Sequence, residues 1–255
     1  MRLAWAVAAA AIFCFPGGAA RTAPIDFCFT AWPPFAALED GKPSGLSVEV
    51  LTRAAARTGF TASFTELPWA RCLRETASGR FDAALDGNPE RQEYLHGRHS
   101  TTPVAIAFWV REDAAAQAFT GYDQFAGQAI GHTLGYNYVE AAMTALKGQL
   151  VVAPDDAAEI AMLTAGRVDA IIGDLVVIGD LARRMKAPIR PLSPPAAETS
   201  YYPLFNPDRA DKLARIDSAI GEMIAGGEVD TIFRDRIGIS HGDILRSLSR
   251  PAATN

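Results

Sequence analysis

A ten-residue pattern occurs twice in this chain. Ser78-Gly79-Arg80-Phe81-Asp82-Ala83-Ala84-Leu85-Asp86-Gly87 is echoed 87 positions later by Ala165-Gly166-Arg167-Val168-Asp169-Ala170-Ile171-Ile172-Gly173-Asp174. Each copy reads as a helix end, a Gly-Arg turn and a short apolar strand opening on Asp-Ala. Each also closes a series of alternating elements. In the first series, Ile25–Thr30, Thr61–Thr65 and Phe81–Leu85 read as strands, with helices over Leu46–Arg57 and Trp69–Ala77. In the second, strands are expected at Ala129–His132, Gln149–Ala153 and Val168–Gly173, with helices at Tyr136–Leu146 and Asp156–Ala165. Leu46, Val50, Leu51 and Ala54 share one helical face, Gly59 ends that helix, and Asp156 with Glu159 forms a candidate capping box. Leu213, Ile216, Ile220, Met223 and Ile224 mark a late amphipathic helix. Two such series imply an α/β fold of two similar lobes facing a cleft. Open α/β sheets bind ligands beyond the carboxyl ends of their strands. Both echoed strands end there on an acid, Asp86 in one and Asp174 in the other.

With 255 residues, 49% of them hydrophobic and 21% charged, the chain is long enough to bury a core without metals or staples. A net charge of −5 and a pI near 5.4 argue against nucleic acid as a partner. Arg2 followed by Leu3–Phe15 is an apolar run of about 13 residues, the size of a signal-peptide core and too short for a membrane span. Pro16-Gly17-Gly18 breaks it, and cleavage is expected after Ala20, giving an exported, periplasmic protein. Cys14 leaves with the leader. Cys28 and Cys72 remain, and an oxidising compartment permits a bridge between them; two buried free thiols are the alternative. The polar tail Ser247–Asn255 carries no apolar span, so a fused sensor kinase is not expected. No catalytic triad signature, Gly-x-Ser-x-Gly elbow or phosphate loop is present. His96 and His99 lack further clustered ligands, so no metal, no cofactor and no catalytic residue is assigned.

Trp32-Pro33-Pro34-Phe35, Gly41, Gly45-Leu46-Ser47-Val48-Glu49-Val50, both copies of the echo, Pro89-Glu90-Arg91 and Gly226-Gly227-Glu228-Val229-Asp230-Thr231-Ile232-Phe233 stand in a fixed order along the chain. As a set they resemble the bacterial extracellular solute-binding proteins of family 3, the polar amino acid receptors of ABC importers. The resemblance covers nearly all the chain after the leader. It implies a periplasmic-binding-protein type II fold: residues 24–110 and 203–250 in lobe 1 and 111–202 in lobe 2. Two hinge strands would lie near Phe108–Arg111 and Tyr201–Phe205.

The resemblance also implies roles. Arg91 matches the arginine that grips a ligand carboxylate through two parallel hydrogen bonds. Asp174 matches the acid that receives the α-ammonium group, although a helix-capping role accounts for the same residue. Trp32 matches an aromatic platform, and Trp69 stands where a second side-chain wall is expected. Tyr136 and Asn137, at a strand-to-helix turn, stand where the family offers donors to a carboxylate. Asn88 and Arg71 complete the expected binding set. Two positions depart from the pattern: Asp86 replaces a small hydroxyl residue, and Tyr136 replaces Ser or Thr. Two acids facing one arginine favour a ligand with additional positive charge, unless Asp86 pairs with Arg71 or Arg91. Pro68-Trp69-Ala70-Arg71-Cys72 is similar to a branch of the family that carries Pro-Trp-x-Arg-Cys, and the branch's first-strand cysteine implies the Cys28–Cys72 bridge. The function implied is capture of a small polar or zwitterionic ligand by lobe closure and its delivery by a monomer to a membrane permease. A dehydratase-like or transglycosylase-like enzyme of the same fold, with Asp86, Asp174 or Glu198 as acid, and an orphan sensor or accessory protein are the alternatives.

Overall fold

The computed structural model of the chain describes residues 23–134 and 140–248. The leader, its cleavage position and Cys14 lie outside these residues, as do Tyr136, Asn137 and the end of the tail.

The chain runs β1 (Ala23–Phe29), a hairpin of β2 (Ala37–Glu39) and β3 (Lys42–Ser44), α1 (Leu46–Arg57), β4 (Phe60–Glu66), α2 (Trp69–Ala77), β5 (Ala83–Gly87) and β6 (Thr102–Arg111). There follow β7 (Ile130–Thr133), α3 (Glu140–Ala145), β8 (Leu150–Ala153), α4 (Asp156–Thr164), β9 (Ala170–Asp174), α5 (Leu175–Met185), β10 (Ile189–Pro191) and β11 (Ala197–Phe205). α6 (Ala210–Ala225), α7 (Glu228–Ile237) and α8 (His241–Leu248) complete it. Both alternating series are present, with the echoed strands beginning two residues later than the apolar pattern predicts, at Ala83 and Ala170.

Among the described residues one path of strands runs β4-β1-β5-β11-β6-β9-β7-β8, with β10 beside β6. β1 pairs in parallel with β4 and β5, and β7 in parallel with β8 and β9. The two halves meet in β11. Its residues Ala197–Tyr201 pair with β6, while Tyr202, Leu204 and Phe205 pair with β5. Further along, β6 pairs with β9 and β10. Alternate residues of β6 enter different cores: Phe108 and Val110 pack with Phe125, Ile130 and Ile172, whereas Ala107 and Trp109 pack with Ile160, Ile171 and Ile178. Period-two alternation buried on both faces explains why this stretch reads as an unbroken apolar run. The first half has its own core around Phe27, Phe29, Phe35 and Leu51, covered by Ile216, Ile220 and Met223 of α6 and Phe233 of α7. Full burial of each such side chain contributes about 1.5–3 kcal/mol.

The echo is one local structure built twice. Gly79 and Gly166 end α2 and α4 with φ of 80° and 68°, values that an L side chain rarely adopts. The Arg80 and Arg167 N–H groups then close on the Glu75 and Met162 carbonyls, at 3.0 and 2.9 Å. Asp82 N donates to Asp26 O at 2.8 Å while its carboxylate accepts from Asp26 N at 2.9 Å. Asp169 repeats this with Ala129, at 2.8 and 2.9 Å. A single acidic residue thus ties the start of each echoed strand to its parallel neighbour.

The capping box expected at Asp156 and Glu159 does not form. Asp155 is the N-cap of α4, accepting from Ala158 N at 2.8 Å. Glu159 is fully buried and accepts instead from Thr133 Oγ1 at 2.8 Å, because α4 packs this face onto β7. Cys28 and Cys72 are joined by a disulfide, with Cα atoms 5.6 Å apart and both residues buried.

Candidate functional site

The carboxyl ends of β1, β5 and β9 gather around the shared strands β6 and β11. After β1 the chain turns at once: Phe35 N and Ala36 N donate to Trp32 O at 2.9 and 3.1 Å. α1 begins against this turn, with Leu46 N and Ser47 N donating to Pro34 O and Phe35 O at 2.9 and 3.0 Å. Gly45 makes that approach possible, since its φ is 131° and a Cβ there would collide with the Phe35 carbonyl. Ser47 is thereby held, fully buried, at the N-terminus of α1 and beside the end of β5.

Asp86 lies in a β-bulge. Leu204 pairs with Ala84 and Tyr202 with Gly87, so three steps along β5 match two along β11. Asp86 takes up the difference with φ of 57°, a left-handed conformation that Asp tolerates better than most residues. Its Oδ1 accepts from Ser47 Oγ at 2.7 Å and from Thr102 Oγ1, and the two hydroxyls are themselves 2.9 Å apart. Burial raises its pKa to about 6 against the pull of these two hydrogen bonds.

Asp174 ends β9 and caps α5. Its Oδ1 accepts from Val176 N and Val177 N at 2.9 and 2.8 Å, and its Oδ2 from Ala105 N at 3.2 Å. Burial raises its pKa to about 7, with the three backbone donors opposing and the charge of Asp156 adding slightly. The helix-capping role that the sequence allowed for Asp174 is therefore realised. Tyr201, half-buried, has its phenol raised by burial and by the Asp174 charge. Trp32 stacks edge-on against Tyr201, ring centroids 5.6 Å apart, and tilts on Phe35 at 5.0 Å. Trp32 also lines a cavity of about 220 Å³ between the halves, with Pro33, Val177, Asp180 and Leu181 among its walls. Val176 and Val177 of α5 pack into the first half's core, so the two halves touch across this edge.

Asp86, Asp174 and Trp32 are thus brought together through β6 and β11. The remaining residues of the expected set stand apart from them. Arg91 is partly exposed, its guanidinium 3.5 Å from Glu93. Arg71 pairs with Glu75 at 2.6 Å, so Asp86 has neither arginine as its partner. Asn88 accepts from Glu90 N at 2.8 Å within its own turn. Trp69, at the start of α2, packs on the small cluster around Cys28, Cys72, Phe81 and Tyr94. Glu198 is exposed on β11 opposite Ala105, its carboxyl raised by partial burial. Among the described residues, no group of three or more His, Cys, Asp and Glu side chains is placed to hold a metal ion. Sequence reasoning overlooked Ser47, Thr102 and Tyr201 as contributors. The only signal was the polarity of Ser100-Thr101-Thr102 in an otherwise apolar stretch, which is a weak one.

Comparison with known proteins bears on this arrangement. The sequence profile of the bacterial extracellular solute-binding proteins, family 3, matches residues 27–238. The L-cystine-binding protein TcyJ of Escherichia coli (strain K12) is 25% identical over 206 residues, 79% of this chain and 77% of TcyJ. Cyclohexadienyl dehydratase of Pseudomonas aeruginosa is 27% identical over 146 residues, 54% of this chain and 53% of the enzyme. The L-cystine solute receptor of Neisseria gonorrhoeae, solved unliganded and open, aligns with a TM-score of 0.73 at 21% identity, over 86% of this chain and 94% of the receptor. The fold is that of the type II periplasmic binding proteins.

Proposed function

This chain belongs to the bacterial extracellular solute-binding proteins of family 3, and we propose that it is a periplasmic receptor for a small amino acid or related cationic amine, which it passes as a monomer to the permease of an ABC importer. The observation that carries this reading is the pair of carboxylates, half-buried Asp86 from one half and buried Asp174 from the other, both anchored on β6. They stand on β5 and β9, to either side of the adjoining strands β11 and β6 that two lobes would share as a hinge, with lobe 1 formed by residues 24–110 and 203–250 and lobe 2 by 111–202. Export with cleavage after Ala20 belongs to the same reading. Closure is strengthened by whatever the ligand gains in the closed form over the open one.

In this mechanism Asp174 receives the ligand's α-ammonium group, adding one charged bond to a carboxylate whose other lone pairs hold α5 and β6 in place. Trp32 stacks on the ligand side chain. Arg91 swings from Glu93 to the ligand carboxylate, a turn opposed only by a long, exposed ion pair worth about 0–1 kcal/mol. Tyr136 and Asn137 are assigned to the carboxylate's donors from lobe 2, and Asn88, Arg71 and Trp69 belong to the same proposed set from lobe 1.

A thermal-shift screen of the protein against amino acids, polyamines, betaines and small organic acids tests this directly. A compound at 100 times its Kd adds about 2.7 kcal/mol to stability. Arg91→Ala is expected to abolish binding of any carboxylate hit, read by calorimetry, without lowering the melting temperature. Unchanged affinity removes Arg91 from the site.

The resemblance to a dehydratase favours a second reading, since carboxyl groups poised near neutrality suit general acid catalysis. Loss of a prephenate-like cyclohexadienyl acid on incubation with the protein, abolished in Asp174→Asn, would select the enzyme over the receptor.

A further inference from the structure

The carboxylate of Asp86 is placed with unusual care for a residue with so little to neutralise it. A bulge and a left-handed backbone turn it toward Ser47 and Thr102. Both donors are neutral hydroxyls, both serve Oδ1, and Oδ2 takes no hydrogen bond among the described residues. The elements packed around it are α1, β6 and β11, and no lysine, arginine or histidine on them contributes to its electrostatics. Arg80 and Arg91, the cations nearest in sequence, are engaged by Glu75 and Glu93, and Arg71 also pairs with Glu75. Asp174 likewise lacks a cation among the described residues: three backbone donors serve its two oxygens, and Asp156 and Tyr201 are the ionisable groups coupled to it. Thr102 and Ala105, which anchor the two acids, are three residues apart on one strand, about 10 Å. A half-buried carboxylate with one oxygen free and no cation is a poor structural element and a good receptor for a cation.

Building on the receptor reading, we propose that Asp86 sets the charge of the ligand: it takes a second cationic group beyond the α-ammonium held by Asp174, which makes small diamino compounds of the lysine type the substrate class. The approximately 10 Å between anchors suits an ammonium pair separated by a short methylene chain lying along Trp32, whose face accepts a cation's stem. The cation enters in exchange for a proton. Burial holds part of the Asp86 population protonated near pH 6, and an arriving ammonium group favours the ionised form, so the proton leaves as the ligand binds. Binding of a dication therefore tightens as pH rises toward 7, and a ligand with one ammonium group gains less.

The test compares L-lysine with L-norleucine, which has the same stem without the second ammonium, by calorimetry on the full chain expressed with its own leader. L-glutamine and L-cystine report on the receptor reading independently. Asp86→Asn is the informative variant, because Asn keeps the shape and accepts the left-handed backbone; a melting curve checks its fold. The expected result is tighter binding of lysine than norleucine. Asp86→Asn then weakens lysine by about 30-fold or more and changes norleucine, glutamine or cystine by less than about threefold. Proton release with lysine, seen as a heat that depends on buffer ionisation near pH 6, disappears in the variant. Equal binding of lysine and norleucine, or an equal loss of both in Asp86→Asn, overturns the inference and leaves the receptor reading standing. Silence of the unmodified protein to all four compounds overturns both.

Discussion

Asp82 and Asp169 hold the same position in the two copies of the echo and make the same two bonds to a neighbouring strand. Their surroundings differ. Asp82 is buried and also pairs with Arg209 at 2.8 Å and Lys212 at 2.7 Å, which arrive from the far end of the chain on the approach to α6 and within it. Asp169 is exposed, and among the described residues its carboxylate bonds only the backbone N–H of Ala129. The first half is further tied by Cys28–Cys72. In the second half, Glu159 is buried against β7 beside Thr133 and Asp156, with no cation acting on it among the described residues. One local motif therefore serves two strategies. The first half is fastened by segments distant in sequence, while the second relies on its own packing and keeps a buried acid.

Three measurements sharpen or break this contrast. Removing the disulfide by Cys72→Ser should have the largest effect, about 4 kcal/mol for a 44-residue loop on the chain-entropy account. Hydrogen exchange should show the loss concentrated in β1, α2 and β5, with β7–β9 little changed. Uniform loosening of both halves would mean that they unfold as one unit and that the contrast is only geometrical. Next, Asp82→Ala should destabilise by about 2–3 kcal/mol, because it strands Arg209 and Lys212 as well as the Asp26 N–H. Asp169→Ala should lose clearly less by urea denaturation, and equal losses would show that the ion pairs add nothing beyond the shared backbone bond.

The smallest effect is read by pH. Burial raises Glu159 to about 8, with the Asp156 charge adding and the Thr133 bond opposing. The folded protein thus keeps a proton that the unfolded chain releases near 4.5, so the stability this contributes is complete below about 4.5 and lost as pH rises through about 8. Asp86 and Asp174 act with the same sign, toward about 6 and 7. The melting temperature of the unliganded protein should therefore fall from pH about 5.5 to about 8.5. Glu159→Gln should recover about 2 kcal/mol at the upper end while leaving the lower end unchanged. A flat profile in the unmodified protein would place water or a counter-charge beside Glu159 and end the contrast between the halves.

Much of this architecture was legible in the amino-acid order. Alternating strand and helix periods, the Gly-Arg turns with Asp-Ala behind them, and the apolar face of α6 follow from local geometry. Residues two, three or four apart must share a face whatever surrounds them. The acids at the ends of β5 and β9 were legible for the same reason. Tertiary structure alone decided what those acids do. Asp86 turns toward Ser47 and Thr102 because β11, more than a hundred residues away, pairs with one residue fewer than β5 supplies. Asp174 gains a third donor only because β6 lies alongside β9. Glu159, which the local pattern assigned to a capping box, is buried because α4 sets it against Thr133. Burial and hydrogen-bond satisfaction belong to segments that meet in space, and no local pattern encodes which segments those are.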